Sequence, residues 1–191
     1  LLYSTGYMAN LGIASGLLNA QSAVFEDRLN HASLIDAGLM AKSRFKRFAH
    51  LDMQALEKQL SQSEARTKMI MTDGIFSMDG DAAPLAKLSQ LAQKYQAWLM
   101  VDDAHGVGLL GDTGAGLVEQ AQLNSADVPI LVYTFGKAIG TSGACVVGDA
   151  DLIDTLVQHS RSYVYTTAMP PAIAAATEQS IQIIQTETWR K

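Results

Sequence analysis

The chain has 191 residues, of which 48% are hydrophobic and 17% charged, with a formal net charge of -5. This fits one soluble globular domain, or most of one, with room for a sizeable core. The negative balance argues against a nucleic-acid partner, and no run has the length of a membrane span or the pattern of a signal peptide. The single cysteine, Cys145, excludes an internal disulfide framework and fits a reducing cytoplasm. The chain opens on Leu1 rather than methionine and stops at Trp189-Arg190-Lys191 just after an amphipathic run, so a piece of a longer protein is expected.

In chain order, Ser4-Thr5-Gly6-Tyr7 reads as a turn and Met8 to Leu18 as a helix. Such a turn is either an ordinary N-cap or a phosphate cradle of backbone N–H groups. Ala23-Val24-Phe25 is a strand, and His31 opens a helix that runs to about Lys42. Arg44 to Phe48 is a strand, and Asp52 caps a helix to about Gln62. Thr67 to Thr72 is a strand, followed by the loop Asp73 to Asp81, which holds Ile75, Phe76 and Met78 among turn residues. Asp79-Gly80-Asp81 resembles the start of a calcium loop, but Ala83 and Leu85 carry no side-chain oxygen, so no metal is expected there. Pro84 starts a helix through Tyr95, and Ala97 to Val101 is the strongest strand pattern. A short helix near Leu117 to Gln122 and a strand, Ile130 to Tyr133, lead to a glycine-rich turn. Ala144 to Val147 is the last strand, and Ala150 to Ser160 and Pro171 to about Thr186 are helices.

Strands thus alternate with helices, which predicts a three-layer α/β/α domain with a mainly parallel sheet. The turn before Ala144 is too short for a parallel crossover, so this one strand is expected to run antiparallel, as an edge or insert. His31, Ser77, Asp102, His105, Thr134 and Lys137 all fall at carboxyl ends of strands. In an open α/β sheet those ends converge on one crevice. A lysine in a glycine-rich turn suits Schiff-base chemistry, where partial burial would lower its pKa and free its amine. Amine, carboxylate and two imidazoles together suit pyridoxal phosphate: the carboxylate pairs with the ring nitrogen, and turn amides and hydroxyls hold the phosphate. Rival motifs fail on spacing. Leu131 and Ala138 stand where a nucleotide-binding P-loop needs glycine and a hydroxyl. Gly106 to Gly111 matches a dinucleotide fingerprint but leads to Thr113-Gly114-Ala115-Gly116 rather than an apolar helix. No Gly-x-Ser-x-Gly elbow or zinc spacing is present, and His50 and His159 read as surface or capping residues.

Six ordered stretches then resemble the α-oxoamine synthases, fold-type-I pyridoxal phosphate enzymes. They are Ser4-Thr5-Gly6-Tyr7-Met8-Ala9-Asn10, Leu29-Asn30-His31-Ala32-Ser33, Asp73 to Gly80, Asp102-Asp103-Ala104-His105-Gly106, Thr134 to Gly140, and Tyr165 to Pro171. The resemblance implies that residues 1–191 form the cofactor-binding large domain of a homodimer, without the family's N-terminal segment and C-terminal small domain. It implies that Lys137 carries the cofactor, Asp102 pairs with the pyridine nitrogen and His105 bonds the ring hydroxyl. His31 would stack on the ring and meet the substrate, and Ser77 would touch the cofactor. Thr134 and the backbone at Gly6 and Tyr7 would hold the phosphate, with Thr166 and Thr167 reaching a phosphate across the dimer interface. Within the family, the Asp102 loop and Asp81-Ala82-Ala83-Pro84-Leu85 favour the branch that condenses L-alanine with a pimeloyl thioester, pimeloyl-ACP or pimeloyl-CoA, in biotin synthesis. The glycine-using, acetyl-transferring branch is the alternative, and a catalytically silent fragment is the non-enzyme reading.

Overall fold

The computed structural model describes residues 1–187; the closing Trp189-Arg190-Lys191 lies outside the described residues. In chain order the elements are β1 (Leu2–Tyr3), α1 (Gly6–Leu17), β2 (Ser22–Asp27), α2 (Ala32–Met40), β3 (Arg44–Phe48), α3 (Met53–Ser61), β4 (Thr67–Asp73), α4 (Leu85–Lys94), β5 (Ala97–Asp102), α5 (Leu117–Gln120), β6 (Ile130–Thr134), β7 (Ala144–Val147), α6 (Ala150–His159), α7 (Arg161–Val164) and α8 (Pro171–Thr186). They build a seven-stranded sheet in the order β1-β7-β6-β5-β4-β2-β3. β3, β2, β4, β5 and β6 run parallel. β7 runs antiparallel to β6 on one side and to β1 on the other.

The central strands read as apolar runs because both of their faces are covered. Phe25, Ile70, Leu99 and Leu131 pack with Leu56 and Leu60 of α3 and Leu85 and Leu88 of α4. Their alternating neighbours Val24, Met69, Met100 and Val132 pack with Ile13 of α1, Leu34 of α2 and Leu156 of α6. The period of two along each strand therefore divides the core into two sub-cores, one on each face of the sheet. Each fully buried large apolar side chain contributes roughly 1.5–3 kcal/mol. The three-layer architecture and the antiparallel β7 follow the sequence pattern. Two short elements do not: β1 covers the outer edge of β7, so β7 is an insert, and α7 adds one helical turn before α8.

One feature of the strand order positions the site. β2 has β3 on one side and β4 on the other. The chain therefore reverses direction across the sheet between β3 and β4. At such a reversal the flanking connections leave in opposite senses and open a crevice at the carboxyl ends.

Candidate active site

A cavity of about 300 Å³ lies at those carboxyl ends, lined by His31, Asp73, Asp102, His105, Thr134 and Lys137. The opposite wall is the turn Ser4-Thr5-Gly6-Tyr7 that enters α1. Each polar group arrives by a short route from a strand end. Asp102 is the last residue of β5 and Thr134 the last of β6. His31 is the N-cap of α2, its Nδ1 accepting from the Ser33 N–H at 3.2 Å. Lys137 sits in the turn that reverses β6 into β7. That turn closes with Phe135 N–H on Gly143 O and Gly140 N–H on Lys137 O. Gly140 and Gly143 have φ of 72° and 106°, the left-handed region that glycine enters without strain.

Asp102 is buried, with its carboxylate held from two directions: the Asn10 Nδ2 donates to Oδ2 at 2.7 Å and the Ala104 N–H to Oδ1 at 3.1 Å. Burial pushes its carboxyl above the ordinary value, against the pull of these donors and of the Lys137 and His31 charges. Asp73 lies beside it, also buried, and accepts the His31 N–H at 2.6 Å. Burial and the Asp102 charge raise Asp73 to about 7. His105 is lowered by burial and then by the nearby Lys137 cation. Tyr7, exposed at the rim, bonds Asp36 through its hydroxyl.

The structure thus brings His31, Asp102, His105, Thr134, Lys137, Gly6 and Tyr7 to one cavity. It leaves Ser77 outside, exposed in the loop after β4, and puts Thr166 and Thr167 in a separate groove with Tyr3 and Tyr163. Lys137 is exposed to the cavity mouth rather than partly buried, because its turn projects beyond the end of β6. His50 is not a simple surface residue. Its ring bridges Asp27 Oδ1 at 2.9 Å and Asp81 Oδ2 at 2.6 Å and stands edge-on to Phe76. Sequence reasoning also passed over Asn10, Ser33 and Asp73. All three fall within the family-like stretches, and Asp73 also follows directly on a strand pattern, ahead of Gly74.

The Thr134 Oγ1 is buried without a hydrogen-bond partner among the described residues and borders the cavity. The first N–H groups of α1, at Gly6 and Tyr7, have no preceding helical turn to supply acceptors. A Cβ on Gly6 would lie 2.5 Å from Thr134 Cγ2, so only glycine lets the helix start approach the end of β6. An unpartnered hydroxyl and free helix-start amides suit an anion. Among the described residues no salt bridge pairs the buried Asp102, and the protonated ring nitrogen of pyridoxal phosphate would provide one. The residues fit the group.

Comparison with known proteins agrees with the fold. The sequence matches the family described as aminotransferase class I and II over residues 1–191. It is 56% identical to the 8-amino-7-oxononanoate synthase of Nitrosococcus oceani over all of this chain and 51% of the relative. The fold matches serine palmitoyltransferase of S. paucimobilis, solved with bound PLP-myriocin, with a TM-score of 0.92 and 34% identity over 97% of this chain and 48% of the other. It also matches 8-amino-7-oxononanoate synthase of Francisella tularensis, with a TM-score of 0.85 and 31% identity over 97% of this chain and 53% of the other. The chain spans about half the length of the curated relatives it matches.

Proposed function

The chain belongs to the aminotransferase class I and II family, and from that premise we propose that it is the cofactor-binding large domain of a pyridoxal phosphate-dependent acyltransferase. The whole enzyme condenses L-alanine with a pimeloyl thioester, borne by acyl carrier protein or coenzyme A, releases carbon dioxide and yields 8-amino-7-oxononanoate. It acts in the cytoplasm as a homodimer. One observation carries the reading: a lysine amine, a buried carboxylate and an unpartnered threonine hydroxyl share one cavity with the start of α1.

Bound pyridoxal phosphate supplies an electron-withdrawing ring that draws charge from the substrate α-carbon. The chain's own residues do the rest. Asp102 would accept a hydrogen bond from the ring N–H and so keep that proton in place. Lys137 Nζ would be the covalent anchor and, when free, the general base for the alanine α-proton. His31 would cover one face of the bound ring and meet the substrate, and His105 would bond the ring hydroxyl. Gly6 and Tyr7 N–H groups and the Thr134 hydroxyl would hold the phosphate, with Ser77 as a further proposed contact. Alanine differs from glycine by one methyl group, worth about 1–3 kcal/mol in a pocket, so glycine is expected to turn over weakly.

A second reading has a specific observation behind it. The TM-score of 0.92 to serine palmitoyltransferase favours a related synthase with another amino acid or acyl chain, since fold alone does not set the substrate. The decisive experiment uses the full-length protein loaded with pyridoxal phosphate. Borohydride reduction and peptide mapping should place the label on Lys137, and carbon dioxide release should be greatest with alanine plus a pimeloyl thioester. A label on another lysine would overturn the cofactor assignment. A preference for glycine or serine, or for acetyl thioester, would move the substrate and leave the cofactor residues standing.

A further inference from the structure

Asn10 has no assigned part in the site, yet it touches two of its elements. It lies in the middle of α1 and is fully buried. Its Nδ2 donates to Asp102 Oδ2 at 2.7 Å and to Ser33 Oγ at 2.9 Å, which uses both amide hydrogens. Its Oδ1 is buried without a hydrogen-bond partner among the described residues. Turning the amide over would set that oxygen against a carboxylate and remove a charge-assisted bond, so the direction is fixed.

The direction propagates. The Ser33 hydroxyl accepts from Asn10, and its own hydrogen then points to the atom 2.8 Å away, His31 Nδ1. The Ser33 N–H faces the same nitrogen at 3.2 Å. A ring nitrogen that accepts from two donors carries no proton, so the neutral imidazole is protonated on Nε2. The His31 N–H, bonded to Asp73 Oδ2 at 2.6 Å, fixes the backbone from the other side. A buried amide that leaves one of its own atoms unpartnered is a costly core residue, and a leucine would fill the volume without that penalty. The two bonds it makes are what distinguish it.

We propose that Asn10 is a positioning residue of this site: it ties the Asp102 carboxylate through Ser33 to the His31 imidazole and holds that ring as the single tautomer protonated on Nε2. His31, which lines the cavity, then carries its one ring N–H on Nε2. The tautomer follows from the hydrogen bonds alone. Its value for catalysis rests on the reading of the preceding section.

The test is nitrogen NMR of full-length protein labelled with ¹⁵N-histidine, in alkaline buffer where the imidazoles are neutral, with and without pyridoxal phosphate. The wild type should show one tautomer for His31, with Nδ1 unprotonated. Ser33→Ala should turn this into a mixture, and Asn10→Ala should do so in part, because the freed hydroxyl can rotate away. Ile13→Ala, a buried cavity on the same helix, should lower stability and leave the tautomer unchanged. If Asn10→Ala does not fold, Ser33→Ala decides alone. A proton on Nδ1 in the wild type, an unchanged tautomer in Ser33→Ala or in folded Asn10→Ala, or equal scrambling by Ile13→Ala would each overturn the proposal. Cofactor absorbance is read on the same samples. If wild type fails to bind pyridoxal phosphate, the cofactor reading falls and the tautomer result stands.

Discussion

Asp73 and Asp102 stand side by side, paired in register at the carboxyl ends of β4 and β5. Both are buried, and the charge of Asp102 adds to burial in raising Asp73 from 3.8 to about 7. The folded protein therefore holds the Asp73 proton longer than the unfolded chain does. The stabilisation this gives is full below about pH 4 and is lost as pH rises through about 7. Asp73→Asn keeps an oxygen for the His31 N–H and removes the titration. In the unloaded full-length protein it should raise stability by roughly 2–4 kcal/mol above pH 7 and by little near pH 4. Urea unfolding at the two pH values reads the difference, and parallel pH slopes for wild type and variant would contradict the assignment.

His50 joins three loops. It bonds Asp27 at the end of β2 and Asp81 in the loop after β4, and it stands edge-on to Phe76. Burial pulls its pKa down, but the bonds and charges of Asp27 and Asp81 outweigh this and leave it raised. A raised histidine stabilises the fold fully below its unfolded value near 6.5, and that contribution is lost as pH rises through the folded value. His50→Gln should therefore cost about 1 kcal/mol in mildly acid buffer and less in alkaline buffer. Met78, at the exposed tip of the same loop, should be cut faster by protease in the variant. Equal cutting rates at acid pH would show that the bridge does not hold the loop.

These two relationships mark where sequence reading stopped. The sheet was legible because its strands are apolar runs bounded by turn residues, as in Thr67–Asp73 and Ala97–Asp102. The first line of site residues was legible because a polar residue just past such a run falls in the crevice. Pairing between distant loops leaves no such trace. Asp27 ends β2 while His50 and Asp81 belong to two different connections, and each looks like an ordinary turn or surface residue. Asn10 sits between Ala9 and Leu11 in a helix, where no period marks it as a bridge to Asp102. The two-residue β1 is too short to show any period, and it forms because β7 offers it an edge. The exposure of Lys137 depends on how far its turn projects, which glycine content alone does not specify.

Gly6 offers a direct test of the phosphate cradle. An added Cβ would stand 2.5 Å from Thr134 Cγ2, so Gly6→Ala must push the Thr134 side chain aside or lift the start of α1. The fold should tolerate this, because Gly6 is the first residue of α1 and needs no left-handed backbone. Phosphate binding should not. Affinity of the full-length protein for pyridoxal phosphate should fall about tenfold, or about 1.4 kcal/mol, with little change in affinity for pyridoxal lacking the phosphate. Absorbance titrations of the two ligands make the comparison. An equal loss for both would locate the damage elsewhere in the cavity.

Thr166 and Thr167 do not line the Lys137 cavity of their own chain. They line a groove of about 530 Å³ with Leu2, Tyr3 and Tyr163, and Ser4 borders both spaces. Beside them Tyr165 is 74% and Val164 46% exposed. A two-fold partner seated on that surface would cover it and could bring the threonines to the neighbouring phosphate. Complementation separates this arrangement from a site built within one chain. One full-length variant carries Lys137→Ala, and the other carries Thr166→Ala with Thr167→Ala. If the threonines act across the interface, each mixed dimer has one subunit with Lys137 facing intact threonines from its partner. Activity should then return to about half the wild-type value per mixed dimer, because one of two sites is whole. If they act within their own chain, both sites of the mixed dimer lack a component. A verified mixed dimer with no activity above its two parents would place the threonines outside the shared site.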